Sequence, residues 1–277
     1  MTAEAAPAKV NLVLHVGPPL PDGMHPLCSV FASIDLADRL ELAPLPEGAR
    51  DVVHCHGVGA PNLAQAAVIA LRERVGEERL PPLELHIHKR IPVAAGLGGG
   101  SADAAAALRA ANRMAGEPLS MAGLRELAAG LGSDVPSQVE PRHALVQGTG
   151  DQVEPVELPG LAALLVPAAP GLPTAAVYAE LDRLRRWREP LDSGPLRRLA
   201  AGPPEELAAG LENDLQPAAL SLRPELGGTL EALRSAGAMG VAVSGSGPTC
   251  FGLFAERGSA ELAAERVPGS LTAELRG

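Results

Sequence analysis

The chain has 277 residues, enough for a large core and for two domains. Apolar residues make up 46% of it but aromatics only 2%, so leucine, valine and alanine must fill the interior. A net charge of −10 argues against a nucleic-acid partner, and no apolar run is long enough to span a membrane.

Residues 8–16 alternate apolar and polar and read as a strand, ending in the proline- and glycine-rich turn 17–23. Residues 27–36 and 39–42 read as two further strands. The apolar spacing of Leu63, Ala66, Ala67, Ala70 and Leu71 predicts a helix over 62–75, with Asn62 as its cap. A strand over 83–89 then leads through Pro92-Val93-Ala94-Ala95-Gly96-Leu97-Gly98-Gly99-Gly100-Ser101-Ala102 into an alanine-rich helix ending at Met114. A helix over 119–131 follows, with Ser120 as a cap. Composition shifts toward prolines and acids at 153–160, which sets a boundary between domains 1–155 and 156–277. The second half holds a strand at 161–166, helices at 174–188, 205–211 and 226–236, strands at 240–244 and 249–254, and a last strand at 271–275. Strands and helices mix without regular alternation, so the expected class is α+β.

Cys28, Cys55 and Cys250 are odd in number and far apart, and the first residues lack a basic start and apolar core. Both point to free thiols in a cytoplasmic protein. His54-Cys55-His56 and the pair His86 and His88 put histidines on strand faces. Each is read as a solvated face, with no metal site expected.

The glycine run from Gly96 to Gly100 joins a strand to a helix, which lets backbone N–H groups and a helix N-terminus face an anion. It is neither a Walker A loop, lacking Gly-Lys-Ser/Thr, nor a full dinucleotide fingerprint. Phosphoryl transfer to an alcohol needs such a cradle, a nearby cation, and a carboxylate to orient or accept the hydroxyl proton. Lys9 and Asn11 share one strand face and Asp134 lies in a tight turn after a helix, so Lys9 and Asp134 are the candidates for those roles.

Pro7-Ala8-Lys9-Val10-Asn11, the loop from Pro92 to Ala102 and the turn Ser244-Gly245-Ser246-Gly247-Pro248 resemble the three motifs of the GHMP small-molecule kinases. Within that family, Asp22-Gly23-Met24-His25, Leu131-Gly132-Ser133-Asp134-Val135-Pro136, the segment reaching Tyr178, and Glu212-Asn213-Asp214 resemble the branch acting on a cytidyl diphosphate-linked methylerythritol. The resemblance implies an N-terminal α+β domain with the phosphate loop and a C-terminal ferredoxin-like domain. It implies ATP and Mg2+ as cofactors and phosphorylation of the substrate's 2-hydroxyl, in the non-mevalonate route to isoprenoid precursors. By the same resemblance Asp134 is the base and Lys9 its partner, and Asn11 positions that region. The loop wraps the ATP phosphates, Asn62 lies near adenine, and His25, Tyr178 and Met24 hold cytosine.

Met24 replaces the family's tyrosine, offering a thioether to the ring, and Ser137 and Gln138 stand where aromatic residues are usual, implying a more polar cleft. The cytosine set separates this reading from a mevalonate or homoserine kinase, and intact Lys9, Asn11 and Asp134 argue against a non-catalytic relative. A monomer or weak homodimer is expected.

Overall fold

The structure, a computed structural model, describes residues 1–59 and 61–276. It opens with two long strands, β1 (Thr2–Val16) and β2 (Leu27–Pro44). β2 runs unbroken where the sequence suggests two strands. Asp38 does not interrupt it, because its buried carboxylate accepts N–H bonds from Arg90 at 2.5 Å and Ile91 at 2.8 Å.

β3 (Val52–Cys55) and α1 (Leu63–Val75) follow, and Asn62 caps α1 as expected, its Oδ1 accepting the Ala64 N–H at 2.9 Å. β4 (Leu83–His88) leads through the glycine loop to α2 (Gly99–Met114), then α3 (Met121–Ala129) and the single turn α4 (Val135–Gln138). The Ser120 hydroxyl caps α3 by accepting the Gly123 N–H.

β5 (Ala144–Gly148) and β6 (Gln152–Pro155) form a hairpin, followed by β7 (Ala162–Val166) and α5 (Thr174–Leu184). α5 stops short of residue 188 because Arg185 turns left-handed, at φ 51°. Arg188 is then drawn to β1, its N–H donating to Val16 O at 2.7 Å. The chain continues through α6 (Ser193–Ala200), α7 (Pro204–Ala209), β8 (Glu212–Asn213), α8 (Gln216–Leu222) and α9 (Leu226–Ser235). It ends with β9 (Gly240–Val243), β10 (Cys250–Phe254), α10 (Arg257–Ala264) and β11 (Leu271–Glu274).

Contacts divide these elements into two units, and the division falls inside β1 and β2. The first unit comprises Met1–Ala8, Leu36–Val93 and Gly98–Pro141. Here β4 pairs antiparallel with residues 39–44 of β2 and parallel with β3. Leu40, Leu42, Leu83, Leu85 and Ile87 pack against Ala67, Val68 and Leu71 of α1 and the alanine face of α2. Small side chains let these helices lie close. Arg109 of α2 is buried, with Glu4 Oε1 at 2.7 Å, Ala5 O at 2.7 Å and Gln138 O at 2.6 Å accepting its N–H groups.

The second unit comprises Lys9–Asp35, Ala94–Leu97 and Arg142–Gly277. Its four-stranded sheet has the order β11-β7-β10-β9 with every neighbour antiparallel. With α9 before β9 and α10 before β11, this is the split β-α-β-β-α-β arrangement of a ferredoxin-like fold. Leu164, Val243, Cys250 and Phe254 pack against Leu230, Leu233, Ala260 and Ala263. In the same unit β5 pairs with residues 27–31 of β2, and β8 adds to β1 in parallel at Val13 and Leu14. The α+β class and the ferredoxin-like C-terminal half match the expectation.

Candidate active site

Lys9 and Asn11 sit in the middle of β1, both buried, and the two-residue repeat of a strand puts them on one face. Lys9 Nζ donates to Asn11 Oδ1 at 2.6 Å and lies 4.5 Å from the centre of the Phe31 ring. Asn11 cannot turn over, because its Nδ2 donates to Ser29 Oγ at 3.1 Å and Ser29 donates onward to Val13 O at 2.5 Å. A buried ammonium needs fixed partners to be tolerated, and this chain of bonds supplies them.

The glycine turn closes on the same face. The Ser244 hydroxyl accepts the Asn11 N–H at 3.4 Å and donates to Gly96 O at 3.0 Å, tying strand, turn and loop together. Gly245 is left-handed at φ 56°, and a Cβ there would stand 3.2 Å from Asn11 Oδ1 and 3.6 Å from Lys9 Nζ. The turn is held from behind by Asn213, whose Nδ2 donates to Val243 O and Gly245 O, both at 2.7 Å, while its Oδ1 accepts the Leu215 N–H. Asn213 belongs to the quoted Glu212-Asn213-Asp214 segment, yet its part in fixing the turn depends on partners 30 and 32 residues away.

The phosphate loop alternates anchored and exposed positions. Pro92 is half-buried and Val93 and Ala94 are exposed, with Ala94 left-handed at φ 52°. Ala95 and Leu97 are buried, and their carbonyls accept N–H bonds from Thr249 at 3.2 Å and Lys9 at 3.1 Å. Gly96 at φ 77° and Gly98 at φ 70° supply left-handed turns on either side of Leu97. α2 then begins at Gly99 with no side chain capping it, and Gly100 is exposed. The first-turn N–H groups of Gly99, Gly100 and Ser101 are therefore not spent on a side-chain cap, as an anion cradle requires. Ser101 is half-buried and Ala102 buried against the core.

Within the first unit the entry to this loop is clamped by charge. Lys89 Nζ bonds Asp38 at 2.5 Å and Asp103 at 2.6 Å, and Asp38 also holds the backbone of Arg90 and Ile91. Burial pushes the Asp103 carboxyl up to about 7, against the opposing pull of Lys89. Neither Asp38 nor Asp103 stands out in the sequence, because their meeting depends on strand pairing.

Asp134, also in the first unit, is half-buried at the start of α4 and does not cap that helix with its side chain. Ser137 and Gln138 are buried within the unit: the Ser137 hydroxyl donates to Asp134 O at 2.8 Å, and Gln138 O accepts from Arg109. They shape the turn that carries Asp134. The cap at Asn62 uses the amide oxygen and not the amide nitrogen.

In the second unit His25 is buried, with Nδ1 donating to Gly17 O at 2.8 Å, since a carbonyl can only accept. Its Nε2 lies 3.5 Å from Asp182, and its ring centre is 5.1 Å from that of Tyr178 at a tilt of 44°. Met24 is exposed beside it, its N–H held by Asp22 at 2.9 Å. The structure thus brings together His25 and Tyr178, and separately Lys9, Asn11 and residues 94–97.

A glycine loop opening on a helix, a buried lysine–asparagine pair and a small-residue turn on a ferredoxin-like sheet define a small-molecule kinase of the GHMP type. Residues 62–140 match the N-terminal domain of GHMP kinases and residues 196–272 the C-terminal domain, and the chain belongs to that family. Within it the chain groups with the 4-diphosphocytidyl-2-C-methyl-D-erythritol kinases. It is 45% identical to that kinase of Streptomyces coelicolor, over 92% of this chain and 88% of the relative. It is 44% identical to that of Streptomyces avermitilis, over 96% and 92%. A solved crystal structure of 4-(cytidine 5'-diphospho)-2C-methyl-D-erythritol kinase matches with a TM-score of 0.83 and 35% identity, covering 99% of both chains.

Proposed function

We propose that this chain transfers the γ-phosphoryl group of ATP to the 2-hydroxyl of 4-diphosphocytidyl-2-C-methyl-D-erythritol, with Lys9 and Asp134 acting at that hydroxyl. The observation that carries the reading is the braced Lys9–Asn11 pair, bonded through Ser244 to the glycine loop. Relatives of that name at 44–45% identity support the substrate.

The substrate oxygen attacks the γ-phosphorus, the bond to the β-phosphate oxygen breaks, ADP leaves, and the hydroxyl proton passes to Asp134 or is oriented by it. The ammonium of Lys9, held in place by Asn11, opposes the negative charge that grows on the attacking oxygen. Backbone N–H groups of the loop from Pro92 to Ala102 and the Ser101 hydroxyl receive the phosphates. Mg2+ enters with the nucleotide as part of that substrate and neutralises phosphate charge. Asn62 contributes to the adenine pocket. His25 has Nδ1 committed to Gly17, so Nε2 is the nitrogen offered to cytosine, with Tyr178 and Met24 packing on the ring. Three free thiols support a reducing, cytoplasmic setting, and among the described residues no helix is long and apolar enough to cross a membrane. A family-level division into 1–155 and 156–277 is supported by the two matched domains, which fall on either side of it.

The test is ADP release from MgATP with the cytidyl substrate, mevalonate or homoserine as acceptor. Turnover is expected with the cytidyl substrate alone, and Asp134→Asn should lower it at least about a hundredfold, the usual scale for a positioned base, while ATP still binds. Turnover on another acceptor would reject the substrate, and near-normal turnover in Asp134→Asn would reject that residue's role.

A further inference from the structure

The solvent face of the sheet in the first unit carries a second cluster of chemistry-bearing side chains. The parallel register of β3 and β4 sets His54 directly opposite His86 and Val52 opposite Glu84. Leu83, Leu85 and Ile87 point into the core, so Glu84, His86 and His88 share the opposite, outer face. The imidazoles of His54 and His86 stack, with ring centres 4.4 Å apart and planes 17° from parallel. Glu84 Oε1 lies 2.9 Å from His54 Nε2 and 3.5 Å from His86 Nε2. One donor atom from each of the three lies within 4.8 Å of the other two.

An ion-pair reading of this cluster is incomplete. One carboxylate oxygen is approached by two stacked rings, and charging both would place like charges face to face. A divalent cation resolves the arrangement, because it accepts both neutral imidazoles and the carboxylate at once. Tetrahedral zinc, with ligands near 2.0–2.2 Å, holds its donor atoms about 3.3 Å apart. The two carboxylate-to-imidazole distances, 2.9 and 3.5 Å, bracket that value, and the two imidazole donor atoms, within 4.8 Å of each other, need to draw together by at most about 1.5 Å to close the site. All three side chains are partly exposed, which leaves a path for the ion and a fourth position for water. Two imidazoles and one carboxylate favour zinc, nickel or copper over magnesium, which demands an octahedron of oxygens.

We propose that His54, Glu84 and His86 form a binding site for a first-row transition-metal ion, zinc by preference, that ties the short strand β3 to β4. It is separate from the MgATP requirement and does not depend on the substrate assigned above. In sequence the two histidine pairs look like unrelated solvated faces. The strand register makes them one site, and His56 falls outside it because β3 ends at Cys55.

The experiment is a calorimetric Zn2+ titration of the metal-stripped full-length protein, with a chromogenic chelator as competitor and millimolar Mg2+ present throughout. One Zn2+ should bind with a Kd on the order of micromolar, and saturating Zn2+ should raise the Tm. His54→Gln and His86→Gln should each weaken binding at least about tenfold and abolish the Tm shift, whereas His56→Gln and His15→Gln should not. All four variants are checked by circular dichroism for native fold. Binding weaker than about 1 mM, or an affinity unchanged in the folded His54→Gln/His86→Gln double variant, would overturn the proposal.

Discussion

Replacing Gly96 with alanine tests whether the loop and the small-residue turn are one locked unit. Gly96 sits at φ 77°, where an L-residue costs about 1 kcal/mol. Its new Cβ would fall deep inside contact with Ser244 O, and would stand 2.9 Å from Gly247 O and 3.0 Å from Gly247 N. An ordinary carbon–oxygen approach is about 3.3 Å, so loop and turn must part by close to an ångström at Ser244 O. Neither can move alone, because Ser244 Oγ to Gly96 O, Thr249 N to Ala95 O and Asn213 Nδ2 to Gly245 O all span or brace the gap. Losing two of these at about 1 kcal/mol each, with the backbone term, gives a destabilisation of roughly 3 kcal/mol. Urea unfolding reads the stability, and kcat/KM for ATP, expected to fall at least about tenfold, reads the loop. Gly100→Ala is the matched control: a Cβ there meets nothing within 4 Å, so stability should stay within about 0.5 kcal/mol of the parent. A Gly96→Ala protein as stable as that control, with unchanged ATP kinetics, would refute the argument.

Asn213→Ala should cost about 2–3 kcal/mol in urea unfolding, since it strips two buried carbonyls of their donor, and should raise KM for ATP; Asn213→Asp should be worse, because it faces those carbonyls with a carboxylate. A loss under about 0.5 kcal/mol would remove Asn213 from the support of the turn. Asp103 titrates higher folded than unfolded, so between about pH 4 and pH 7 the folded state holds a proton that the unfolded state has lost. Its contribution therefore favours the fold at the acid end and fades as pH rises. The stability gap between the parent and Asp103→Asn, measured by urea midpoints across that window, should shift against the parent with rising pH. A constant gap would show that Asp103 does not titrate there.

Local chemistry made much of this legible. Asn62 and Ser120 cap the helices their positions suggested, and glycine punctuated the loop where left-handed backbone was needed. What escaped reading was set by distant partners. Asp38 looks like a strand breaker, yet Lys89 and the backbone of Arg90 and Ile91 satisfy it inside β2. The β5–β6 hairpin has too short an apolar run to announce itself, and β5 gains definition only by pairing with β2. α6, α8 and α10 are only seven or eight residues long and carry a proline or glycine in the first turn, which leaves a helical stripe too short to stand out. Of the site, the glycine loop, Lys9 and Asn11 could be picked out, whereas the Asn213 brace and the Asp38–Lys89–Asp103 clamp could not. Each of those joins residues that only the tertiary fold brings together.

That the boundary between units falls inside β1 and β2 also governs the order in which the chain can fold as it is made. Val13 and Leu14 find their parallel partners at Glu212 and Asn213, far later in the chain, and β7 waits for β11 at Leu271–Glu274 to complete its sheet. No single cut releases either unit as one continuous piece, since each is assembled from three stretches of chain. The second unit can therefore close only after Leu271–Glu274 has left the ribosome, although β1 can pair with β2, and β2 with β5, well before that. Slow, long-range closure of this kind exposes strand edges to aggregation, which makes production of the chain sensitive to synthesis rate and to chaperone supply.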